Sequence, residues 1–301
     1  MNEVIRVEGL TKSFGSRCAV SDLSFSVNRG DVYGFLGQNG AGKSTTIRML
    51  LSLIAPDQGR IRILGDDLNT HRRSILSRTG AIIERPDLYK YLSAGDHLRL
   101  FARMNGIRPS SRLIKQHLER VGLAERERDR VSSFSQGMKQ RLGLAVALIH
   151  EPELLILDEP TNGLDPQGIA DMRALILSLS REAGKTILVS SHLLSEIQVI
   201  ANRMLIIHGG KKITEGSVNE LLHPASVRVD LETTGDEEAR RLLCNSPWAS
   251  FLQDDPACLR LLMDADAVPD LVAWLTDRQV GIRFVQSRPS LEAYFLSLIS
   301  S

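Results

Sequence analysis

The chain contains few cysteines and no long hydrophobic run, and both facts reduce the number of protein classes to which it could belong. Its 301 residues include three cysteines, at positions 18, 244 and 258, without C-x-x-C spacing. Neither a disulfide framework nor a zinc site is indicated, so we expect a reducing compartment. No apolar run approaches the roughly 18 residues of a membrane-spanning helix, and the N-terminus lacks the basic and apolar regions of a signal peptide. We expect a chain that does not cross a bilayer by itself.

The sequence also lacks an excess of either positive or negative charge. Lysine and arginine number 37 against 36 aspartates and glutamates, which leaves a formal net charge of +1 at pH 7. Proteins that bind nucleic acid usually attract phosphates through a basic surface, so the balance gives no reason to expect a nucleic-acid partner. The length suggests one large or two medium domains with a substantial core.

The sequence does contain a glycine-rich loop of the form G-x-x-x-x-G-K-[ST]. Glycines let backbone N–H groups approach a phosphate chain, the lysine reaches the outer phosphates, and the next hydroxyl can bind Mg²⁺. An apolar run at residues 31–36 predicts a buried strand before the loop, and helical spacing over residues 45–53 predicts a helix after it. A strand, a loop and a helix N-terminus in this order favour an anion site. The predicted nucleotide-binding residues are Gly37, Gln38, Asn39, Gly40, Ala41, Gly42, Lys43, Ser44 and Thr45, with Ser44 also a metal ligand.

A second apolar run, residues 154–157, ends on two carboxylates, Asp158 and Glu159. Carboxylates at the end of a buried strand are costly without a charge partner, and Mg²⁺ on a nucleotide would be that partner. We expect Asp158 to hold the metal, directly or through water, and Glu159 to take a proton from an attacking water. The alternative is an acidic pair that caps a solvated loop.

Two further residues have open interpretations. His192 follows a predicted strand at residues 186–190. It could contact the γ-phosphate or position the water, although a histidine at a strand end is more often structural. Phe14, ahead of the glycine loop, could stack on a base or simply pack in the core.

The order of elements predicts the architecture. Short alternating strands over residues 4–27 predict an antiparallel β layer. Strands interleaved with helices predict a mostly parallel α/β core, which a helical subdomain at about residues 88–150 interrupts. A β-α-β-β-α-β order follows, with one strand at residues 250–253, and predicts a small ferredoxin-like domain. A last helix carries apolar residues at positions 291, 294, 295, 298 and 299. We therefore expect two domains, residues 1–222 and 223–301.

In this order the motifs resemble those of the ATP-binding subunit of an ABC transporter, over about the first 220 residues. The decisive segment matches the family signature at the start of a predicted helix: Ser135, Gln136, Gly137 and Met138. The resemblance implies an α/β P-loop NTPase cassette with ATP and Mg²⁺ as cofactors. In it Lys43 contacts phosphate, Glu159 is the catalytic base, His192 the switch histidine and Phe14 the residue that stacks on adenine.

The resemblance also implies partners. A second copy of the chain would close its signature over ATP, although sequence spacing alone leaves open whether that contact forms in cis or in trans. A separately encoded membrane permease would hold the protein at the cytoplasmic face of the membrane. No nucleic acid is implied.

Two positions depart from the commonest family pattern. Gln136 and Met138 replace Gly and Gln, a variant similar to that of exporters with separately encoded permeases. Glu84 stands where most cassettes have a glutamine that contacts Mg²⁺ and the permease. A carboxylate is tolerable beside the metal but is repelled by phosphate, so we expect it to tune the link between nucleotide and permease. The alternative is a neutral replacement.

Glu84 and the small C-terminal domain resemble the bacitracin-resistance and lantibiotic self-protection exporters. This branch favours export of a drug, a peptide antibiotic or a lipid-like molecule. A soluble ABC ATPase of DNA repair or translation is the alternative, but such relatives carry fused cassettes, long coiled coils or cysteine clusters that this sequence lacks. A cassette that binds ATP without hydrolysing it is disfavoured because the base, the metal ligand and the switch histidine are all present.

Overall fold

The computed structural model describes residues 3–221, 226–253 and 259–289. The chain divides into two compact units, Met1–Val218 and Asn219–Ser301. The strands are β1 (Glu3–Phe14), β2 (Arg17–Asn28), β3 (Val32–Leu36), β4 (Gln58–Ile63), β5 (Asp66–Asp67), β6 (Thr79–Ile82), β7 (Leu154–Asp158), β8 (Thr186–Ser191), β9 (Arg203–His208), β10 (Lys211–Ser217), β11 (Ser226–Thr233), β12 (Leu259–Asp264) and β13 (Ile282–Pro289). The helices are α1 (Lys43–Leu50), α2 (Arg72–Leu76), α3 (Ala94–Met104), α4 (Ser111–Arg120), α5 (Gln136–Leu148), α6 (Pro166–Arg181), α7 (Leu194–Ile200), α8 (Val218–Leu221), α9 (Asp236–Cys244) and α10 (Val268–Asp277).

A six-stranded sheet forms the centre of the first unit, with the strand order β10-β9-β3-β8-β7-β6. All neighbours in it run parallel except β10, which is antiparallel to β9. Strands β3, β7 and β8 are buried along their whole length. Continuous burial is typical of parallel strands that are covered on both faces, and the predicted mostly parallel α/β core is confirmed.

A second sheet, with the order β2-β1-β4-β5, is the predicted antiparallel layer. The sequence pattern predicted several short strands here, but the layer contains two 12-residue strands in one hairpin. Register shifts along the β1–β2 ladder absorb the residues that interrupt the alternation, as β-bulges do. The ring of Phe25 stacks on that of Tyr33 with centroids 5.9 Å apart, so a common hydrophobic core joins the two sheets.

Helix α1 begins earlier than its spacing predicted. Gly42 is the residue before the helix and has a φ of 108°, in the left-handed region, so Lys43 and Ser44 already belong to the first helical turn. The helix ends at Leu50, and Ser52 turns the chain away with a φ of 55°. The side chains of these two predicted nucleotide-binding residues therefore project from a helix N-terminus.

The region between residues 88 and 150 is helical, as predicted. Helices α3, α4 and α5 pack around a core of their own, which includes Leu98, Leu118 and Leu142. The described chain has no strand there, only an isolated bridge between Ser93 and Arg130. Across the described ranges no helix combines the length and the apolar character needed to cross a membrane.

The second unit contains a three-stranded antiparallel sheet with the order β12-β11-β13. Its core includes Leu243 of α9 and Leu271 of α10. The predicted strand at residues 250–253 is wrong. A 3₁₀ turn at Ala249–Phe251 replaces it, because a tight turn around Ser246 follows α9 at once and leaves only Leu252 to form one bridge with β12. The ferredoxin-like description stays a prediction. The predicted boundary at residues 222/223 and the last helix lie outside the described residues.

Candidate nucleotide site

A cavity of about 700 Å³ opens where the glycine loop, the end of β7 and the segment after β6 meet. Its volume lies in the range of small-molecule sites. The predicted site residues among those lining it are Phe14, Asn39, Gly40, Gly42, Lys43, Ser44, Thr45, Glu84, Asp158 and Glu159. Sequence reasoning missed the other lining residues, which are Arg17, Ala19, Ile83, Arg85 and Asn162.

The shape of the glycine loop depends on two glycines that have no room for a side chain. A Cβ on Gly37 would lie 2.6 Å from the carbonyl oxygen of Ile207, and one on Gly42 would lie 2.6 Å from that of Ala19. Neither Gly37 nor Gln38 is among the lining residues, but their carbonyl oxygens accept hydrogen bonds from Lys43 Nζ at 2.7 and 3.3 Å. The methyl group of Ala41 is buried in the core. Part of the predicted loop thus holds the lysine rather than lining the cavity.

Three predicted catalytic side chains form a continuous line. Lys43 Nζ lies 3.1 Å from Glu159 Oε1, and Glu159 Oε2 lies 2.6 Å from His192 Nδ1. Lys43 is almost fully buried, and Glu159 adopts a φ of 50°, a strained conformation of the kind that active sites retain. The fold therefore gathers a lysine, a carboxylate and a histidine from distant parts of the chain. Their catalytic roles remain predictions.

Asp158 has the environment of a metal ligand. Its side chain is fully buried, and Oδ1 accepts a hydrogen bond from Ser190 Oγ, whereas Oδ2 has no hydrogen-bond partner among the described residues. Burial raises the pKa of Asp158, and the hydroxyls of Ser190 and Ser44 offset this only in part. A hard cation with oxygen ligands fits an orphaned carboxylate oxygen beside a serine hydroxyl.

The residues present fit Mg²⁺ rather than a metal held by protein alone. In the described part of the chain no group of three or more histidine, cysteine, aspartate or glutamate side chains could hold a metal ion. Mg²⁺ is usually held by one or two protein oxygens and completed by water and substrate phosphates. Asp158 and Ser44 match that pattern.

Glu84 lies on the rim of the cavity and is paired with an arginine. Its Oε1 lies 2.8 Å from Arg48 Nη2 on α1, and both side chains are about half exposed or more. Its φ is 55°, so the backbone is in the left-handed region. The predicted role of Glu84 at the metal remains a prediction, because in this structure the carboxylate is engaged by Arg48.

Phe14 ends β1 and is 52% exposed, so the interpretation of Phe14 as a core residue is wrong. It lines the cavity, where its ring could stack on a base. Arg17 opens β2 beside it, and its Nη2 lies 3.4 Å from the position that a Cβ on Gly40 would take. No motif marks Arg17, so only the fold reveals that a cation faces the loop.

The four signature residues do not line the cavity. Ser135 precedes α5, and its Oγ accepts a hydrogen bond from the N–H of Met138 at 3.2 Å. A Cβ on Gly137 would meet nothing closer than Leu164 Cδ2 at 3.9 Å. Packing within the described chain therefore does not explain why position 137 is glycine.

Ser190 is a further residue that sequence reasoning missed. Its Oγ donates to Asp158 and accepts the N–H of Glu159 at 3.0 Å. From the neighbouring strand β8 it thereby holds the carboxylate of Asp158 and the backbone of Glu159 at the end of β7. Its only signal in the sequence is its place two residues before His192.

Comparison with known proteins adds three similar sequences. The family model described as "ABC transporter" matches residues 20–162. The chain is 51% identical over 215 residues to the bacitracin transport ATP-binding protein BcrA of Bacillus licheniformis, covering 71% of this chain and 70% of that protein. It is 37% identical over 300 residues to BcrA of Enterococcus faecalis, covering 99% and 97%. It is 43% identical over 212 residues to the lantibiotic transport ATP-binding protein SrtF of Streptococcus pyogenes, covering 70% and 90%.

A solved structure described as the ATP-binding subunit of an ABC transporter is also similar. The two chains superpose with a TM-score of 0.64 at 31% sequence identity, covering 72% of this chain and 91% of that one. The similarity thus extends to the fold that places the cavity.

Proposed function

This chain belongs to the ABC transporter family as an ATP-hydrolysing subunit, and we propose that it powers export of a peptide antibiotic or a similar amphiphilic molecule through a separately encoded permease. The observation that carries the proposal is the line from Lys43 through Glu159 to His192 beside the buried Asp158. The substrate class rests on similarity to the bacitracin transport and lantibiotic transport proteins. The E. faecalis protein supports it best because the similarity includes the C-terminal unit.

The geometry suggests how the site would work. Lys43 would exchange Glu159 Oε1 for an outer phosphate oxygen of ATP, which would release Glu159 to accept a proton from the attacking water. His192 lies next to that carboxylate and would hold it in place during the transfer. Asp158 and Ser44 would hold Mg²⁺, which supplies positive charge against the phosphates when bound. Phe14 would stack on the base.

A second copy of the chain would complete each site. The N-terminus of α5 carries N–H groups suited to an anion, yet its four signature residues do not line the cavity of their own chain. The open space at Gly137 supports close approach by something outside the chain. We propose that this is ATP held by the facing copy, so the signature acts in trans.

Mixing two defective variants tests this arrangement. Glu159→Gln removes the base, and Gly137→Ala obstructs the signature, so each variant alone should hydrolyse ATP slowly. In a mixed dimer one site combines both defects, while the other has an intact Glu159 and an intact signature. The mixture should therefore be more active than either variant. A mixture that only averages the two would place the signature contact in cis and contradict the proposal.

The permease, the location and the lack of a nucleic-acid partner follow from the same proposal. The protein would sit at the cytoplasmic face of the membrane, held by its permease, and Glu84 on the cavity rim would tune the link between the two. Capture from detergent-solubilised membranes should recover a protein with several membrane spans. Recovery in a ribosomal or DNA-bound fraction would favour the soluble ATPase instead.

A further inference from the structure

A buried carboxylate lies next to the row of side chains formed by Lys43, Glu159 and His192, and it has no role in the proposed mechanism of ATP hydrolysis. Glu196, in the first turn of α7, is only 6% exposed. It forms no ion pair with any residue of the described ranges. A buried carboxylate without a cationic partner is costly unless hydrogen bonds satisfy it, so the hydrogen bonds of Glu196 indicate what it does.

One oxygen of Glu196 joins two separate segments of the chain. Its Oε2 accepts hydrogen bonds from Thr161 Oγ1 at 2.7 Å and from Ser191 Oγ at 2.9 Å. Thr161 lies two residues after Glu159, and Ser191 directly precedes His192. Glu196 therefore links the segment that carries the base to the segment that carries the histidine.

A second link joins the same two segments of the chain. Ser190 Oγ accepts the N–H of Glu159 and donates to Asp158. Because successive side chains of a strand point to opposite faces, Ser190 and Ser191 reach the two sides of β8. The two serines together fix where β7 and its following loop stand relative to His192.

We infer that Glu196 is a positioning residue for ATP hydrolysis, which holds the Glu159 carboxylate and the His192 ring in register by tying Thr161 to Ser191. The inference rests on the ATPase activity of the chain. Among the described residues no hydrogen bond or ion pair joins Glu196 to Glu159 or His192, so we expect it to act through the backbone of the two segments that it joins. The loop that begins at Thr161 also carries Asn162, one of the residues that line the cavity.

Kinetics of the full-length protein can separate this role from simple packing. Glu196→Leu removes the acceptor, and we expect kcat to fall about tenfold or more while KM for ATP stays within about twofold, because the phosphate loop is untouched. Glu196→Gln keeps an acceptor oxygen and should retain most of kcat. Thr161→Val and Ser191→Ala each remove one donor and should give intermediate losses. Thr79→Val serves as the matched control. It removes a buried hydroxyl that donates a hydrogen bond to the carbonyl oxygen of Ile75, and it lies on the edge strand β6.

A double-mutant comparison tests whether Glu196 acts through the histidine. In a His192→Ala background the contact with Glu159 is already lost, so Glu196→Leu should reduce kcat little further. Full additivity of the two losses, or an unchanged kcat in Glu196→Leu, would overturn the inference. If Glu196→Leu does not fold, Thr161→Val and Ser191→Ala carry the same comparison. An inactive wild-type protein would instead contradict the proposed function on which the inference rests.

Discussion

The sequence predicts that the N-termini of α1 and α5 both bind phosphate through glycine-containing segments, and the structure gives the glycines of the two segments different surroundings. At α1, Gly37 and Gly42 are required by their own surroundings, since a Cβ on either would lie 2.6 Å from a backbone carbonyl oxygen. At α5, Gly137 has open space, with its nearest neighbour 3.9 Å from a Cβ. The glycines of the first loop are explained by the fold, whereas Gly137 needs an explanation outside the described chain.

The difference shows how half of a composite site can be recognised. A glycine that could accept a side chain without strain or clash leaves room for a group that approaches closely from outside. The first N-terminus has Lys43, the two carboxylates of Asp158 and Glu159 and the cavity close by, whereas the signature residues of the second do not line that cavity. The N-terminus of α1 therefore belongs to a site built within the chain, and we propose that the N-terminus of α5 serves a site on a second copy.

The strongest test of the first N-terminus is Glu159→Gln. Loss of the base should lower turnover by roughly 10²- to 10⁴-fold, while ATP binding and dimer formation persist because Lys43 and the loop remain. Single-turnover hydrolysis and nucleotide-binding titrations check the two parts separately. Near-normal hydrolysis would remove Glu159 from its role.

Gly42→Ala should damage the same region through the fold itself. The new methyl group meets the carbonyl oxygen of Ala19, and a φ of 108° is unfavourable for alanine, so we expect a loss of stability of about 2 to 4 kcal/mol. Gly184→Ala is the matched control, because Gly184 also has a positive φ but no atom within 4 Å of a Cβ. It should cost about 1 kcal/mol. Equal losses in chemical denaturation would contradict the steric argument.

Gly137→Ala should separate stability from function. Alanine is the better helix former, so the free energy of unfolding should stay unchanged or rise by up to about 1 kcal/mol. Turnover at saturating ATP should still fall about tenfold or more, since the methyl group would obstruct the close approach of phosphate. Thermal melts and steady-state kinetics measure the two effects. A loss of stability equal to that of Gly42→Ala would contradict the difference between the glycines at the two helix N-termini.

Asp158→Asn should change how stability depends on pH. Burial raises the pKa of Asp158 above its ordinary 3.8, so the folded protein binds this proton more tightly than the unfolded chain. The contribution of Asp158 to stability is therefore favourable at low pH and is lost as pH rises through the folded pKa. At pH values above the folded pKa the variant should have a higher melting temperature than the wild type. The increase should be about 2 to 4 °C for each 1 kcal/mol by which the cost of the buried charge is relieved. Mg²⁺ with ATP should stabilise the wild type more than the variant, which keeps the loop and Lys43 but loses a metal ligand, and identical pH profiles would refute the effect.

Arg48→Ala should have the smallest effect. The pair with Glu84 is exposed, and such pairs contribute about 0 to 1 kcal/mol, so the melting temperature should hardly move. Basal ATPase activity should also change little, whereas activity with the permease should respond, because Glu84 becomes free to move on the rim. Adding Glu84→Gln to Arg48→Ala should cancel the response. A response that persists in the double variant would show that Arg48 does not act through Glu84.

Much of the fold could be predicted because its signals are local. The apolar runs of β3 and β7 lie in short segments, and both strands form as expected, as does the helical region at residues 88–150. The predicted strand at residues 250–253 failed because a turn after α9 overrode its apolar pattern. The long β1–β2 hairpin was missed because bulges hide alternation.

The amino-acid sequence by itself determined the chemical class of the ligand. The loop of residues 37–45 is contiguous, and its glycines, lysine and serine dictate a phosphate-binding backbone wherever a strand precedes it and a helix follows. Asp158 and Glu159 at the end of an apolar run likewise point to a metal and a base. These inferences need only neighbours along the chain.

Only the tertiary structure decided which side chains meet. The line from Lys43 to His192 exists because β8 lies between β3 and β7, an order that the chain does not spell out. The pairing of Glu84 with Arg48 and the link from Glu196 to Thr161 and Ser191 likewise depend on elements brought together by packing. The clearance at Gly137 is a property of the space around it. These contacts form because the packing of the core fixes the distances between residues that lie far apart along the chain.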